Sequence, residues 1–217
     1  ALSLANGNLD VTASASWNTA MSTMAMSPGE KYYCEVFMNN AVSSNSSAIV
    51  ELGVATADFS SALDTYIGKT AESWCFQNNG PAGSALGHSN SWTNYGSNPT
   101  YETGDVMGIA VDLSAGTLKF YKNGTDLGNA YSNLPTDTPL TFACGLYKAS
   151  SISWNFGQRP FAYTNAGVDR PAADYLSLNT YNLDAPLIDD PSEHFDVKTY
   201  DGTGSTKVFT GFEFGPD

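Results

Sequence analysis

The chain has 217 residues, enough for one sizeable β domain or for one domain and a fragment of a second. Its 22 acidic and 9 basic residues give a net charge of −13, which leaves too few cations for binding nucleic acid or an anionic membrane surface. There is no apolar run long enough for a membrane helix and no recognisable signal peptide.

Strand-like alternation is the first structural signal along the chain. In residues 32–38 the side chains of Cys34, Val36 and Met38 fall on one face. Residues 58–68 have a short, nearly helical spacing, and we expect a turn or a single helical turn there. Helical periodicity is otherwise almost absent, so the sequence predicts an all-β protein.

Residues 105–128 give the clearest pattern. Ile109, Val111 and Leu113 form one apolar face, and a Gly-containing turn separates them from a second strand at 117–121. Asn123-Gly124 follows, the dipeptide preferred where both central residues of a hairpin turn need positive φ. These signals predict a three-stranded meander, and such closely spaced strands are typical of an antiparallel sandwich or barrel.

The composition changes near residue 165. We expect the main domain to cover residues 1–165 and a linker to cover 166–187. Residues 188–217 alternate again on either side of a Gly-containing turn, which predicts a small β-hairpin extension or the start of a following module. A lone hairpin is marginal in water, so this one should need a partner surface.

The residues that commonly bind metals are few and scattered. Cys34, Cys75 and Cys144 are too widely spaced for a disulfide framework, and their apolar neighbours predict three buried thiols. The histidines are His88 and His194, and neither has the spacing of a zinc site. We therefore expect no metal, no cofactor and no catalytic residue.

Five segments form a recognisable series along the chain: GEKYYCEV (29–36), LGVAT (52–56), GDVMGIAVD (104–112), LKFYKNG (118–124) and WNFGQRPF (154–161). They resemble motifs of the SPRY (B30.2-like) family and occur in the family's order. The resemblance covers about residues 1–163. It implies a bent, concanavalin-like sandwich of two antiparallel sheets that binds proteins or peptides through loops at one end, without shared catalytic residues.

Two further stretches resemble phage proteins. The ending NFGQRPFAY (155–163) is similar to SPRY modules of virion proteins, and residues 190–217 are similar to a module that follows SPRY in phage tail proteins. The resemblance implies a non-enzymatic structural module of a tail fibre, tail tip or capsid decoration on the surface of the virion. Its partners would be other virion subunits or a host protein or glycan, and a homo-oligomer stays open.

Two other functions stay open at this stage. One is a cellular SPRY adaptor that binds a peptide. The other is a polysaccharide-active hydrolase, because a catalytic carboxylate pair forms in space and leaves no fixed spacing in the sequence.

Residues 72–101 are rich in Gly, Asn and Ser and also carry rigid aromatic side chains, a combination typical of recognition surfaces. We predict ligand contacts from Trp92 and Tyr95, both expected to be exposed, with Asn94 and His88 beside them. Trp74 completes the predicted set, although its position also fits a core residue. His88 is expected in a solvated loop, without the neighbours of a catalytic triad.

Overall fold

The computed structural model describes residues 1–43, 47–59, 65–79, 85–97, 99–163 and 174–182, with residues 197, 199–206 and 208. The chain divides into two compact units, Ala1–Asn182 and Leu183–Asp217. In these ranges the helical structure consists of one 3-10 turn, Thr180–Asn182, and no helix is long and apolar enough to cross a membrane.

The first unit is a sandwich of two sheets, which confirms the predicted all-β class. The strands are β1 (Leu2–Ala5), β2 (Asp10–Ala13), β3 (Asn18–Met21), β4 (Lys31–Asn40), β5 (Ala48–Thr56), β6 (Ser73–Gln77), β7 (Ala85–His88), β8 (Ser91–Thr93), β9 (Val106–Asp112), β10 (Thr117–Lys122), β11 (Thr125–Tyr131), β12 (Leu140–Lys148), β13 (Ser151–Asn155) and β14 (Leu176–Ser177). An eight-stranded sheet has the order β1-β2-β13-β4-β9-β10-β11, with β14 also beside β4, and a six-stranded sheet has the order β3-β12-β5-β6-β7-β8. All strand pairs are antiparallel except β14 with β4.

Alternation along the strands fills the space between the sheets. Cys34, Val36 and Met38 of β4 are fully buried in the main core, as the sequence predicts. Val50, Leu52 and Val54 of β5 meet the core from the other sheet because side chains two apart share a face. Every residue of β5 is buried, so the outer face of the six-stranded sheet must also be covered around this strand.

The predicted meander is confirmed as β9, β10 and β11. Asn123 and Gly124 have φ values of 50° and 79°, as this hairpin turn requires. The Asn123 side-chain oxygen accepts a hydrogen bond from the Val106 N–H at 2.8 Å, which ties the turn to the start of β9. The three predicted buried thiols are also found: Cys34, Cys75 and Cys144 are free and buried.

The end of the first unit differs from the expected linker over 166–187. Leu176 and Ser177 of β14 pair in parallel with Tyr32 and Tyr33 of β4, and Leu178 enters the main core. Residues 174–182 thus pack on the sandwich, because their apolar side chains continue its core. The hairpin expected in 188–217 lies largely outside the described residues, and the described residues 199–206 include no strand.

Tyr101 lies at the edge of the sandwich where β5 begins and β6 ends. Its side chain is fully buried, and its hydroxyl lies 2.8 Å from the carbonyl oxygens of both Val50 and Phe76. Asn78 fixes the same corner, because its side-chain oxygen accepts from the Val50 N–H at 2.9 Å.

We expect Tyr101→Phe to lower the free energy of unfolding by about 1–3 kcal/mol, because it removes the hydroxyl donor that the buried carbonyl oxygens of Val50 and Phe76 share. Urea unfolding followed by tryptophan fluorescence measures the change. Tyr181→Phe is the matched control, because Tyr181 is 93% exposed and should unfold like the wild type. Equal losses from the two substitutions would contradict this role for Tyr101.

Candidate functional site

The outer face of the six-stranded sheet carries small side chains along one row of paired residues. Ala143 pairs with Gly53, Gly53 with Cys75, and Cys75 with Gly87, which in turn pairs with Trp92. A methyl group at Gly87 would lie 2.6 Å from the Trp92 ring. The row therefore leaves room for another part of the chain to lie directly on the sheet.

Residues 65–68, here called the crossing segment, fill that room. Ile67 is fully buried against the row, and its carbonyl oxygen accepts a hydrogen bond from the Cys75 thiol at 3.2 Å. Gly68 has φ +87°, and a methyl group there would come within 2.7 Å of the Gly87 carbonyl oxygen. Only glycine combines this backbone conformation with so close an approach.

Four aromatic side chains lie side by side across this face, and we call them the aromatic row: Tyr147, Trp17, Tyr66 and Trp92. Trp17 stacks on Tyr147 with 5.1 Å between ring centroids and meets Tyr66 at 5.4 Å, while Tyr66 lies 5.9 Å from Trp92. All four are half-buried. Packed against each other yet partly open to solvent, they form a rigid apolar surface.

Separate elements supply the four rings. Tyr147 lies near the end of β12 on the face opposite the core residue Leu146, and Trp17 directly precedes β3. Tyr66 belongs to the crossing segment, and Trp92 lies in β8. An open pocket beside the row is lined by Ala15, Ser16, Trp17, Tyr147 and Lys148.

Two lysines flank the aromatic row. The Lys148 Nζ lies 5.1 Å from the Tyr147 ring centroid, and the Lys69 Nζ lies 5.7 Å from that of Tyr66. These distances allow cation–π attraction, which holds each ammonium group over its ring. The surface is therefore aromatic along its length and positive near both tyrosines.

A buried acid lies in the sheet next to the row of small residues. Glu51 pairs with Gly145, is fully buried, and has no hydrogen bond of ordinary geometry to either carboxyl oxygen. Burial holds the pKa of the Glu51 carboxyl well above its usual range, although the nearby Ile67 amide offsets this in part. The group is therefore a neutral acid over much of the pH range in which an exposed glutamate is charged.

Replacing Glu51 should make the stability of the protein less dependent on pH. The folded state keeps a proton on Glu51 that the unfolded chain releases above about pH 4.3. As the pH rises above that value, wild-type stability should fall relative to Glu51→Gln by up to about 1.4 kcal/mol per pH unit, until the pH reaches the raised pKa.

Urea unfolding of both proteins between about pH 4.5 and pH 8 measures this difference. The comparison cancels the contributions of other titrating groups because both proteins share them. Parallel profiles for the two proteins would show that Glu51 is charged in the folded state.

Two of the predicted ligand residues lie on the inner face of the six-stranded sheet. Trp74 is 5% exposed and stacks on His88 across the strands at 4.8 Å. The expectation of a solvated loop at His88 is wrong, because His88 ends β7 and its Nδ1 lies 3.0 Å from the Ser73 carbonyl oxygen. Cross-strand stacking on Trp74 holds the His88 ring in this place.

The expected exposure of Tyr95 is also wrong. Tyr95 is 2% exposed, its ring meets Phe76 edge-on at 5.1 Å, and its hydroxyl donates to the Gly128 carbonyl oxygen at 2.6 Å. A buried tyrosine with a bonded hydroxyl presents nothing to a ligand. Asn94 is exposed, and Trp92 joins the aromatic row, so the predicted set is split between two faces of one sheet.

Trp17, Tyr66 and Tyr147 were missed by the sequence reasoning. Tyr147 could have been found, because Phe142, Cys144 and Leu146 alternate into the core and leave Tyr147 on the opposite face. Trp17 and Tyr66 lie outside strands and have no comparable signal. Their proximity depends on the path of the crossing segment.

The three cysteines are buried free thiols. Burial raises the pKa of the Cys144 thiol to about 12 and holds those of Cys34 and Cys75 well above their usual range, so all three are protonated. The described residues include no group of three or more His, Cys, Asp or Glu side chains that could hold a metal ion.

Comparison with curated proteins gives relatives from animals. The chain is 39% identical over 85 residues to a Ran-binding proteins 9/10 homolog of Drosophila melanogaster, which is 39% of this chain and 8% of the relative. It is 41% identical over 66 residues to human Ran-binding protein 9, which is 30% of this chain and 9% of that protein. The matches thus span about a tenth of the length of these relatives.

Solved structures show the same fold at low sequence identity. The SPRY domain of human HERC1 superposes with a TM-score of 0.58 at 17% identity, covering 73% of this chain and 94% of that one. The TRIM65 PSpry domain gives a TM-score of 0.54 at 18% identity, covering 71% and 85%.

The expectation of a phage virion module is wrong. The curated relatives are Ran-binding proteins, not virion components. This finding also overturns the expected location on a virion and the expected partners, virion subunits and host glycans. The short NFGQRPFAY segment was misleading because its first five residues lie within the stretch that matches the SPRY domain model, and so they fit a cellular SPRY protein as well.

The family is shown by more than short motifs. The SPRY domain model matches residues 31–159, more than half of the chain, and the two-sheet architecture agrees with the solved SPRY structures. The chain belongs to the SPRY domain family.

Proposed function

We propose that this chain is the recognition module of a cellular SPRY adaptor and that it binds a short peptide segment of a partner protein along the aromatic row. The observation that carries the proposal is the contact series Tyr147, Trp17, Tyr66 and Trp92, half-buried on an outer sheet face. The names of the curated relatives, Ran-binding proteins, also favour a protein partner.

The physical properties of the row suit peptide binding. Tyrosine and tryptophan supply a large contact area and have few rotatable bonds, so ordering them on binding costs little entropy. The rings already hold each other in place, which lowers that cost further. Trp17 contacts both Tyr147 and Tyr66, so it is the expected centre of the binding energy.

A binding role without catalysis is part of the proposal. The thiols are protonated and buried, and the described histidine, His88, is held between Trp74 and the Ser73 carbonyl oxygen. Glu51, next to the row of small residues, is an acid with a raised pKa, but its carboxyl oxygens are buried away from solvent. These placements favour recognition over group transfer.

Selection of short random peptides displayed on particles, followed by titration of synthetic peptides, tests the proposal. We expect Trp17→Ala to weaken binding of the selected peptides by about tenfold or more, the scale of a central interface tryptophan. Fluorescence anisotropy of labelled peptides gives the dissociation constants.

Phe37→Ala is the matched control. Phe37 is a large aromatic residue that is 40% exposed and lies in β4 of the other sheet. Its loss should leave peptide affinity unchanged. Failure to select any peptide, or equal effects of the Trp17 and Phe37 substitutions, would refute binding along the aromatic row.

A further inference from the structure

We propose that the aromatic row selects an acidic peptide, with one carboxylate near Lys148, a second near Lys69, and an apolar or aromatic side chain between them on Trp17. This inference rests on the proposed function and specifies the chemistry of its ligand. Its basis is the distribution of positive charge in the described part of the chain.

Most of the described cations outside this face already have acidic partners. Lys31 pairs with Asp112 and Asp174, Lys119 with Asp126, and Lys122 with Asp105. Within the described ranges no ion pair is made by Lys69, Lys148 or Arg159. Two of these three lie over rings of the aromatic row. Among the described residues, positive charge outside ion pairs therefore coincides with the aromatic row.

The backbone at Lys148 supports a role for its side chain. Lys148 has φ +57°, a conformation that glycine or asparagine adopts more easily than lysine. It directly follows Tyr147, lines the open pocket and places its ammonium group over the Tyr147 ring. A strained residue at a candidate site is a reason to look for a function of its side chain.

The spacing of the rings sets the spacing of the proposed carboxylates. Trp17 lies 5.1 Å from Tyr147 and 5.4 Å from Tyr66, centroid to centroid. An extended peptide advances about 3.3 Å per residue, so at most about three residues pass from one tyrosine to the other. A ligand with one acidic residue on each side of a single apolar or aromatic residue fits this distance.

The net charge of −13 does not prevent such a ligand from binding. Charges on distant parts of the surface are screened beyond about 8 Å at physiological ionic strength, whereas a direct contact with lysine is not. Glu51, which lies next to the row of small residues, stays protonated because burial raises the pKa of its carboxyl group. Glu51 therefore adds little negative charge beside the aromatic row, where Lys69 and Lys148 lie over the tyrosine rings.

Peptides selected from the random library, then synthesised with acetylated and amidated termini, provide the test. Each peptide is titrated against the wild type and the double variant Lys69→Gln with Lys148→Gln, and the titrations are repeated with Asp and Glu changed to Asn and Gln. We expect the double variant to bind the acidic peptides about 3- to 10-fold more weakly and their amide versions with unchanged affinity. Lys119→Gln, on the other sheet, is the matched control and should have no effect.

Three outcomes are distinguishable. Acid-rich peptides that depend on both Trp17 and the two lysines support the inference, as does recovery of binding by Lys69→Arg with Lys148→Arg. Peptides that depend on Trp17 but are not acidic and ignore the lysine changes overturn it and leave the proposed function standing. Absence of any Trp17-dependent peptide removes both. Unchanged thermal unfolding of the double variant shows that the comparison is between folded proteins.

Discussion

Close contact between the crossing segment and the six-stranded sheet determines which side chains are buried and which stay exposed in this part of the protein. The contact is possible because Gly53, Gly87 and Ala143 place no bulky side chain on the outer face of the sheet. It covers part of the outer face of β5, whose residues are all buried. It also carries Tyr66 over the sheet, where the ring joins Trp17 to Trp92 in one surface.

The same contact explains why an acid can be buried in this domain. A carboxyl group without hydrogen bonds is tolerated when it is protonated, since the neutral form loses much less hydration free energy than the charged form. Glu51 lies opposite Gly145, where a side chain larger than hydrogen would collide with its carboxyl group. The stability of the fold and the geometry of the candidate site therefore share one set of small residues.

The sequence was sufficient for the fold but only partly for the site. Alternation at Cys34, Val36 and Met38 and the Asn-Gly turn predicted local structure, because these features depend on neighbours along the chain. Tyr95 is buried by contacts with Phe76 and Phe120, which are distant in the sequence, and no local pattern encodes these contacts. For the same reason the sequence does not reveal that Trp17 and Tyr66 are neighbours. The position of Tyr147 on the outer face could have been predicted from the alternation of β12.

The pairing of β14 with β4 has a consequence for where the domain can be cut. The segment that matches the family ends at residue 159, yet Leu176 and Ser177 pair with the backbone at Tyr32 and Tyr33, beyond the point where β13 leaves β4. A shorter protein that ends at the family boundary would leave these backbone groups open to pairing with a second molecule, a known route to strand exchange and aggregation. For expression and crystallisation, the natural boundary of the sandwich is Asn182.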